Sequence, residues 1–192
     1  PYGATESLPV ASVESRQVLE QTAARTDAGA GVCVGPPGRT IQAKVIEISD
    51  GPLASLEAVP TCAAGEIGEI VVHGSVVTES YFEQSEATTL AKVHDANGDL
   101  WHRMGDVGYL DEAGLSWCCG RKSHRVPTAA GTLFSVPVEG IFNTHPDVFR
   151  SALVGIPCYD PDQPRPAVCV ELEPNTPYRR RREICAELRA MA

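Results

Sequence analysis

The stretch Trp101–Val126, WHRMGDVGYLDEAGLSWCCGRKSHRV, sets two compact polar clusters between apolar runs. The first is His102-Arg103-Met104-Gly105-Asp106 and the second is Gly120-Arg121-Lys122-Ser123-His124-Arg125. Between them, Asp111-Glu112-Ala113-Gly114 has the residues of a tight turn, because acidic side chains bond their own backbone and glycine tolerates unusual φ. The pattern predicts a hairpin of two short strands. That hairpin would carry both clusters to one end of a small sheet, with one carboxylate and one guanidinium close enough to act on a single polar ligand. A surface hairpin closed by a structural salt bridge fits the same spacing, and both readings stay open on these residues alone.

Outward from this stretch, composition narrows the field. The 192 residues, 43% of them hydrophobic, can bury a sizeable core as one large or two small domains. A net charge of −9 argues against a general nucleic-acid binder, which is normally basic. No apolar run approaches the roughly 20 residues of a membrane span, and no signal-peptide pattern opens the chain. The first residue is Pro1 rather than Met, as expected of a fragment. Seven cysteines, an odd number without a C-x-x-C pair or zinc-like spacing, point to small buried hydrophobes in a reducing, cytoplasmic setting.

Upstream, Tyr2–Ser7 reads as a turn-like segment in which Gly3 permits close backbone approach. Residues 13–24 form a helix or lid. Gly29–Gly38 is a glycine- and proline-rich loop and a domain boundary; no Lys-Ser or Lys-Thr follows it, so it is not a nucleotide P-loop. Strands are expected over residues 44–48, 69–73 and 115–119, a short helix within 81–92, and a turn at Asn97-Gly98. Short strands separated by turns predict a small distorted β-barrel or sheet over about residues 31–120. Downstream, the order becomes a helix over 135–145, strands over 150–156 and 167–172 joined by a proline-rich loop at 160–166, and an amphipathic helix carrying Ile184, Leu188 and Met191. The fold class is therefore α+β, with a second small α+β domain after the hairpin. Arg179-Arg180-Arg181-Arg182 reads as the solvated start of the last helix.

Individual residues offer chemistry. A Thr5-Glu6 pair reads as a helix cap, or as a hydroxyl beside a carboxylate that suits Mg²⁺, a cation preferring hard oxygen ligands. Asp106 is a turn aspartate, or a carboxylate accepting two ribose hydroxyls in charge-assisted bonds. Arg121 has a planar guanidinium that grips a ribose or phosphate oxygen with two donors. His102 and His124 flank the clusters as general bases, or as surface or structural histidines.

Three motifs in order give these alternatives a direction. Pro1-Tyr2-Gly3-Ala4-Thr5-Glu6 resembles the YGxTE motif of the adenylate-forming superfamily, which includes acyl-CoA synthetases. Gly65–Gly74, GEIGEIVVHG, followed by Tyr81, resembles its GEI-x-V-x-G…Y motif. The hairpin stretch resembles its RTGD…GRK region, with Met104 replacing the usual Thr. The resemblance implies that Tyr2 stacks near an adenine beside Gly3. Thr5 would contact the α-phosphate and Glu6 would hold Mg²⁺, both as catalytic residues. Asp106 would bind the ribose and Arg121 the nucleotide. It places a hinge at Ser123, where the family usually has Asp or Lys, and so divides the chain into 1–122, the end of a large AMP-binding domain, and 123–192, a small mobile domain that is incomplete. The family's Gly-rich Ser/Thr phosphate loop and its C-terminal adenylation lysine have no counterpart in the sequence.

PYGATESLPV, HRMGDVGYLDEAG, CGRKSHRV, FNTHPDVFRSALVG and VCVELEP further resemble the branch that makes β-lactones in bacterial long-chain olefin synthesis. For the intact enzyme this implies ATP-dependent, Mg²⁺-assisted activation of a long-chain β-hydroxy acid as acyl-AMP. Ring closure would then release AMP, with other enzymes of that pathway as partners. A fatty acyl-CoA synthetase is the alternative reading, and a nucleotide-binding module without turnover is a second.

Overall fold

The computed structural model describes residues 1–158 and 164–191. The chain runs β1 (Tyr2–Ala4), β2 (Ser7–Ala11), a helix α1 over residues 15–27, β3 (Val32–Gly35), β4 (Ile41–Ile46) and β5 (Gly68–Gly74). It continues through α2 (Ser85–Ala91), β6 (Lys92–His94), β7 (Leu100–Leu110), β8 (Ser116–Arg121), β9 (Val126–Thr128) and β10 (Gly131–Leu133). It ends with α3 (Ser135–Phe142), β11 (Val148–Ile156), β12 (Arg165–Leu172) and α4 (Arg181–Met191).

β7 and β8 are the expected hairpin, and Asp111 builds its turn. One Asp111 oxygen accepts from the amides of Ala113 and Leu115, both at 3.0 Å, and the other accepts from Trp117 Nε1 at 2.9 Å. Gly114 closes the turn at φ 78°. The hairpin is the centre of an antiparallel sheet with strand order β3-β8-β7-β5-β4, and β6 pairs beside β7. The sheet is open, so of the two expected forms, barrel or sheet, the chain takes the sheet.

Apolar residues alternate across the strands, as a sheet covered on both faces requires. Ile41, Ile70, Val72 and Met104 pack on one face beneath Val10 and Ala11 of the β1–β2 hairpin. Ile46, Val71, Val93 and Trp101 pack on the other with Leu56. Towards β3, Cys33, Val107, Tyr109, Trp117 and Cys119 form a third cluster that Phe134 also joins. Two of the seven cysteines, Cys33 and Cys119, are thus buried hydrophobes, whereas Cys158, Cys169 and Cys185 are exposed.

Several expectations change. The stretch 29–38 is not all loop: Val32–Gly35 is strand β3, paired with β8. Its glycine and proline flanks hide a strand whose partner lies over 80 positions downstream, and this pairing makes it part of the sheet rather than a break before it. The helix expected over 13–24 is present but shifted to 15–27, and its middle, Val18–Thr22, is a π turn. The four-arginine run is more than a solvated start, because Arg180 grips Glu183 and Glu187 and lies 3.2 Å from Asp147. The loop expected at 160–166 lies largely outside the described residues, and Arg165 and Pro166 already belong to β12.

Beyond β8, α3, α4 and the β11–β12 hairpin bury a separate core of Phe142, Val148, Ile184 and Leu188. This is the predicted helix–strand–strand–helix order. Ser135 of α3 sits against Gly120, where an added Cβ would lie 2.3 Å from the serine Oγ.

Candidate functional site

Asp106 owes its position to a bulge. β5 and β7 pair Val71 with Arg103 and Glu69 with Val107, so β7 fits four residue steps against two on β5. Met104-Gly105-Asp106 thus face the single residue Ile70, a surplus of two, and Gly105 takes it up at φ 67°, a region other residues enter at a cost. Asp106 therefore stands inside a strand, not in a turn, and faces Arg121 across the β7–β8 ladder.

Two motifs meet at its carboxylate. The Tyr2 hydroxyl donates to Oδ2 at 2.8 Å, across 104 positions of sequence, and Arg121 Nη1 donates to Oδ1 at 2.7 Å. Burial and the neighbouring carboxylate push the Tyr2 phenol well above its ordinary pKa, so it remains a donor. Arg121 stays half exposed, with a single long bond to Met104 O at 3.4 Å besides Asp106. Gly3 is required by close packing in the β1–β2 hairpin, where a Cβ would meet Ser7 O at 2.5 Å.

Thr5 and Glu6 lie in the turn between β1 and β2, so neither caps a helix. Thr5 is exposed. Glu6 receives the Tyr81 hydroxyl at 2.7 Å, and this bond holds its carboxyl below the usual range. Burial first, then the bond to Glu6, pushes the Tyr81 phenol up to about 12. A cavity of about 240 Å³ lies between these groups, lined by Glu6, Tyr81, His102, Gly105, Arg121 and Lys122 among others. Asp106 and Arg121 suit a diol and an anion, and Glu6 offers hard oxygen to a divalent cation, so these residues fit a metal-bearing nucleotide.

His102 is the structural histidine of the two alternatives. It is 2% exposed, and burial, reinforced by the Lys92 charge, lowers its pKa to about 4. Its Nδ1 lies 3.2 Å from Ala91 O. His124 is exposed. Ser123 is also exposed, in a 3-10 turn over Lys122–His124 that follows β8 directly.

Two features escaped the sequence reading. The first is a buried ion cluster centred on Glu69, which is fully enclosed. Arg103 reaches it through Nη2 at 2.8 Å and Nε at 3.2 Å, and Lys122 Nζ at 2.9 Å. The signal was there: one acid beside Ile70-Val71-Val72 in a buried strand demands a cation. The second is Tyr81 as the partner of Glu6, a contact over 75 positions that only the motif's trailing tyrosine hinted at.

Among the described residues, His145, Asp147 and Glu187 bring potential metal-binding atoms within 4.8 Å of one another. Arg180 already fills that space, at 2.6 and 2.8 Å from the two Glu187 oxygens. His145 Nδ1 accepts the Asp147 amide, which leaves Nε2 as the donor to Glu187. The group is a structural ion pair network.

No protein-family model matches the chain. Over its full length it is 46% identical to an olefin beta-lactone synthetase of Xanthomonas campestris. It is 48% identical, over 90% of its length, to the protein of the same name from Stenotrophomonas maltophilia. It spans about a third of these relatives, 34% and 31% of their lengths. The structure of O-succinylbenzoate coenzyme A synthetase from Bacillus subtilis, solved with AMP, superimposes with a TM-score of 0.69 at 24% identity. That match covers 97% of this chain and 33% of the other, and it carries the fold alone. No helix of the described residues is long and apolar enough to cross a membrane.

Proposed function

This chain belongs to the adenylate-forming ligases, as a C-terminal portion of one, and from that premise we propose that the intact protein is an ATP-dependent ligase that makes a β-lactone from a long-chain β-hydroxy acid. The substrate carboxylate attacks the α-phosphorus of ATP, which forms the acyl-phosphate bond and expels pyrophosphate. The substrate's own β-hydroxyl oxygen then attacks the acyl carbon, its proton passes to a base or solvent, and AMP leaves. The internal nucleophile gains from proximity, so coenzyme A is not required.

The observation that carries this reading is the meeting of Tyr2, Asp106 and Arg121 at one carboxylate, in a chain 46% identical to a β-lactone-forming relative. In this scheme Asp106 exchanges its two present donors for the ribose hydroxyls, Arg121 turns to the nucleotide, and Tyr2, with Gly3 beside it, packs on the adenine. Thr5 contacts the α-phosphate. Glu6, oriented by Tyr81, holds Mg²⁺, whose charge would offset that of the phosphates. Residues 1–122 complete the large domain, and residues 123–192 form a small mobile domain that pivots at Ser123. The reading places the protein in the cytoplasm, alongside other enzymes that make long-chain olefins.

The test is a product assay on the intact protein with ATP, a long-chain β-hydroxy acid, and coenzyme A present or omitted. Lactone formed without coenzyme A, with AMP and pyrophosphate in equal amounts, is the expected result. A thioester that requires coenzyme A would make the protein an acyl-CoA synthetase, and neither product would make it a nucleotide-binding module.

A further inference from the structure

We propose that Lys122 is a positioning residue for Arg121: by anchoring the residue just past the end of β8, it fixes the guanidinium that meets Asp106 and shifts the start of any swinging motion to Ser123 and beyond. The inference rests on the nucleotide role given to Arg121 above.

Arg121 is the last residue of β8 and its side chain is 55% exposed. A terminal strand residue frays unless something beyond it is held. Lys122 supplies that hold. Its Nζ donates to Glu69 Oε1 at 2.9 Å and to Ser49 O at 2.8 Å, and only 19% of its side chain is exposed. Glu69 is itself immobilised by two bonds from Arg103, and Arg103 lies three residues before Asp106 on β7. Two successive residues are thus fixed, Arg121 to Asp106 on β7 and Lys122 to Glu69 on β5. When the guanidinium leaves Asp106 for the nucleotide, the Lys122 anchor remains and keeps the Arg121 backbone in place.

The rest of the segment is tied more lightly. Arg125 Nη1 donates to Lys122 O at 2.8 Å, and its Nη2 pairs with Asp50, whose side chain is 71% exposed. Ser123 and His124 are exposed. An exposed pair of this kind opens readily, whereas the enclosed Lys122–Glu69 contact does not. The linker therefore has a fixed first residue and a releasable last one.

The experiment uses the intact protein with Lys122→Met and Lys122→Arg. Met keeps the length and apolar stem of lysine and leaves the Arg103–Glu69 pair intact, so the sheet still folds. AMP affinity is measured by titration calorimetry, and amide hydrogen exchange is followed at residues 121–125. For Lys122→Met we expect faster exchange confined to these residues and AMP binding weakened about tenfold, the scale of one lost charge-assisted hydrogen bond. Lys122→Arg should recover most of both. Unchanged exchange at 121–125 in Lys122→Met would overturn the proposal, as would an AMP affinity in Lys122→Met equal to that of an intact wild-type protein that binds AMP. If the intact wild-type protein binds no AMP, the nucleotide reading falls, and the exchange comparison alone decides whether Lys122 holds Arg121 in place.

Discussion

Replacing Glu69 by Gln should destabilise the chain far more than removing the lysine it serves. Glu69 is the one anion among three side chains: its own is 1% exposed, that of Arg103 is 2% and that of Lys122 is 19%. Gln keeps the shape and still accepts a hydrogen bond, so the perturbation is almost purely one of charge. Arg103 would retain its carbonyl partners, Ser49 O, Gly51 O and Leu90 O, but no counter-ion. Breaking a buried pair by removing one partner costs about 3–5 kcal/mol. At this chain length each kcal/mol moves the melting temperature by roughly 2–4 °C, which predicts a fall of about 6–20 °C. Lys122→Met leaves one cation with one anion, and should cost about 1 kcal/mol or less. The assay is urea unfolding followed by near-ultraviolet circular dichroism, supported by thermal melts. The reasoning is refuted if Glu69→Gln lies within about 1 kcal/mol of wild type, or if Lys122→Met is equally damaging.

Asp106→Ala should weaken AMP binding by calorimetry while thermal stability stays close to wild type; early melting with intact affinity would instead make Asp106 a purely structural partner of Tyr2 and Arg121. Gly105→Ala forces a Cβ into left-handed backbone at φ 67° and should cost about 1 kcal/mol or more in urea unfolding. His102 is neutral in the fold, with a pKa lowered to about 4 by burial. The unfolded histidine binds a proton below about 6.5, so its contribution is complete above that pH and is lost as pH falls towards 4. Urea midpoints taken from pH 7 to pH 4 should therefore fall more steeply for wild type than for His102→Gln, and parallel curves would contradict the burial argument. Arg25 lies 4.0 Å over the Trp117 ring and 3.4 Å from Asp111, half exposed, so Arg25→Ala should cost about 0.5–1 kcal/mol; a larger loss by urea titration would mean that it supports α1 through more than these contacts.

The hairpin at the centre of the sheet was legible because its determinants are local. Asp111 and Gly114 build the turn within four residues and set the register as far as Gly108 opposite Cys118; beyond it a one-residue shift in β8 brings Arg121 opposite Asp106. The last helix was legible from the spacing of Ile184 and Leu188. Less could be read where the partner lies far away. The strand Val32–Gly35 is four residues long between glycines and prolines, and only its pairing with β8 makes it a strand. The bond from Tyr2 to Asp106 depends on how the first hairpin lies over the sheet, which no local pattern encodes. The bulge at Met104-Gly105-Asp106 needs the register of β5 as well as that of β7. Glu69 shows the same limit at the level of charge: an acid in an apolar run announces that a cation must come, but not that two will.

The loop at Ser49–Gly51 is held in an unusual way. Arg103 donates to the Ser49 and Gly51 carbonyls, and Lys122 donates to Ser49 O as well. These cations read the loop through its peptide groups, which every amino acid supplies. Apart from Asp50, whose carboxylate pairs with Arg125, the side chains of the loop are therefore almost free to differ, while its length and path are not. In a chimera that grafts this loop from a relative, composition outside position 50 should matter little, but a single inserted or deleted residue would carry the carbonyls out of reach and strand the cations they satisfy.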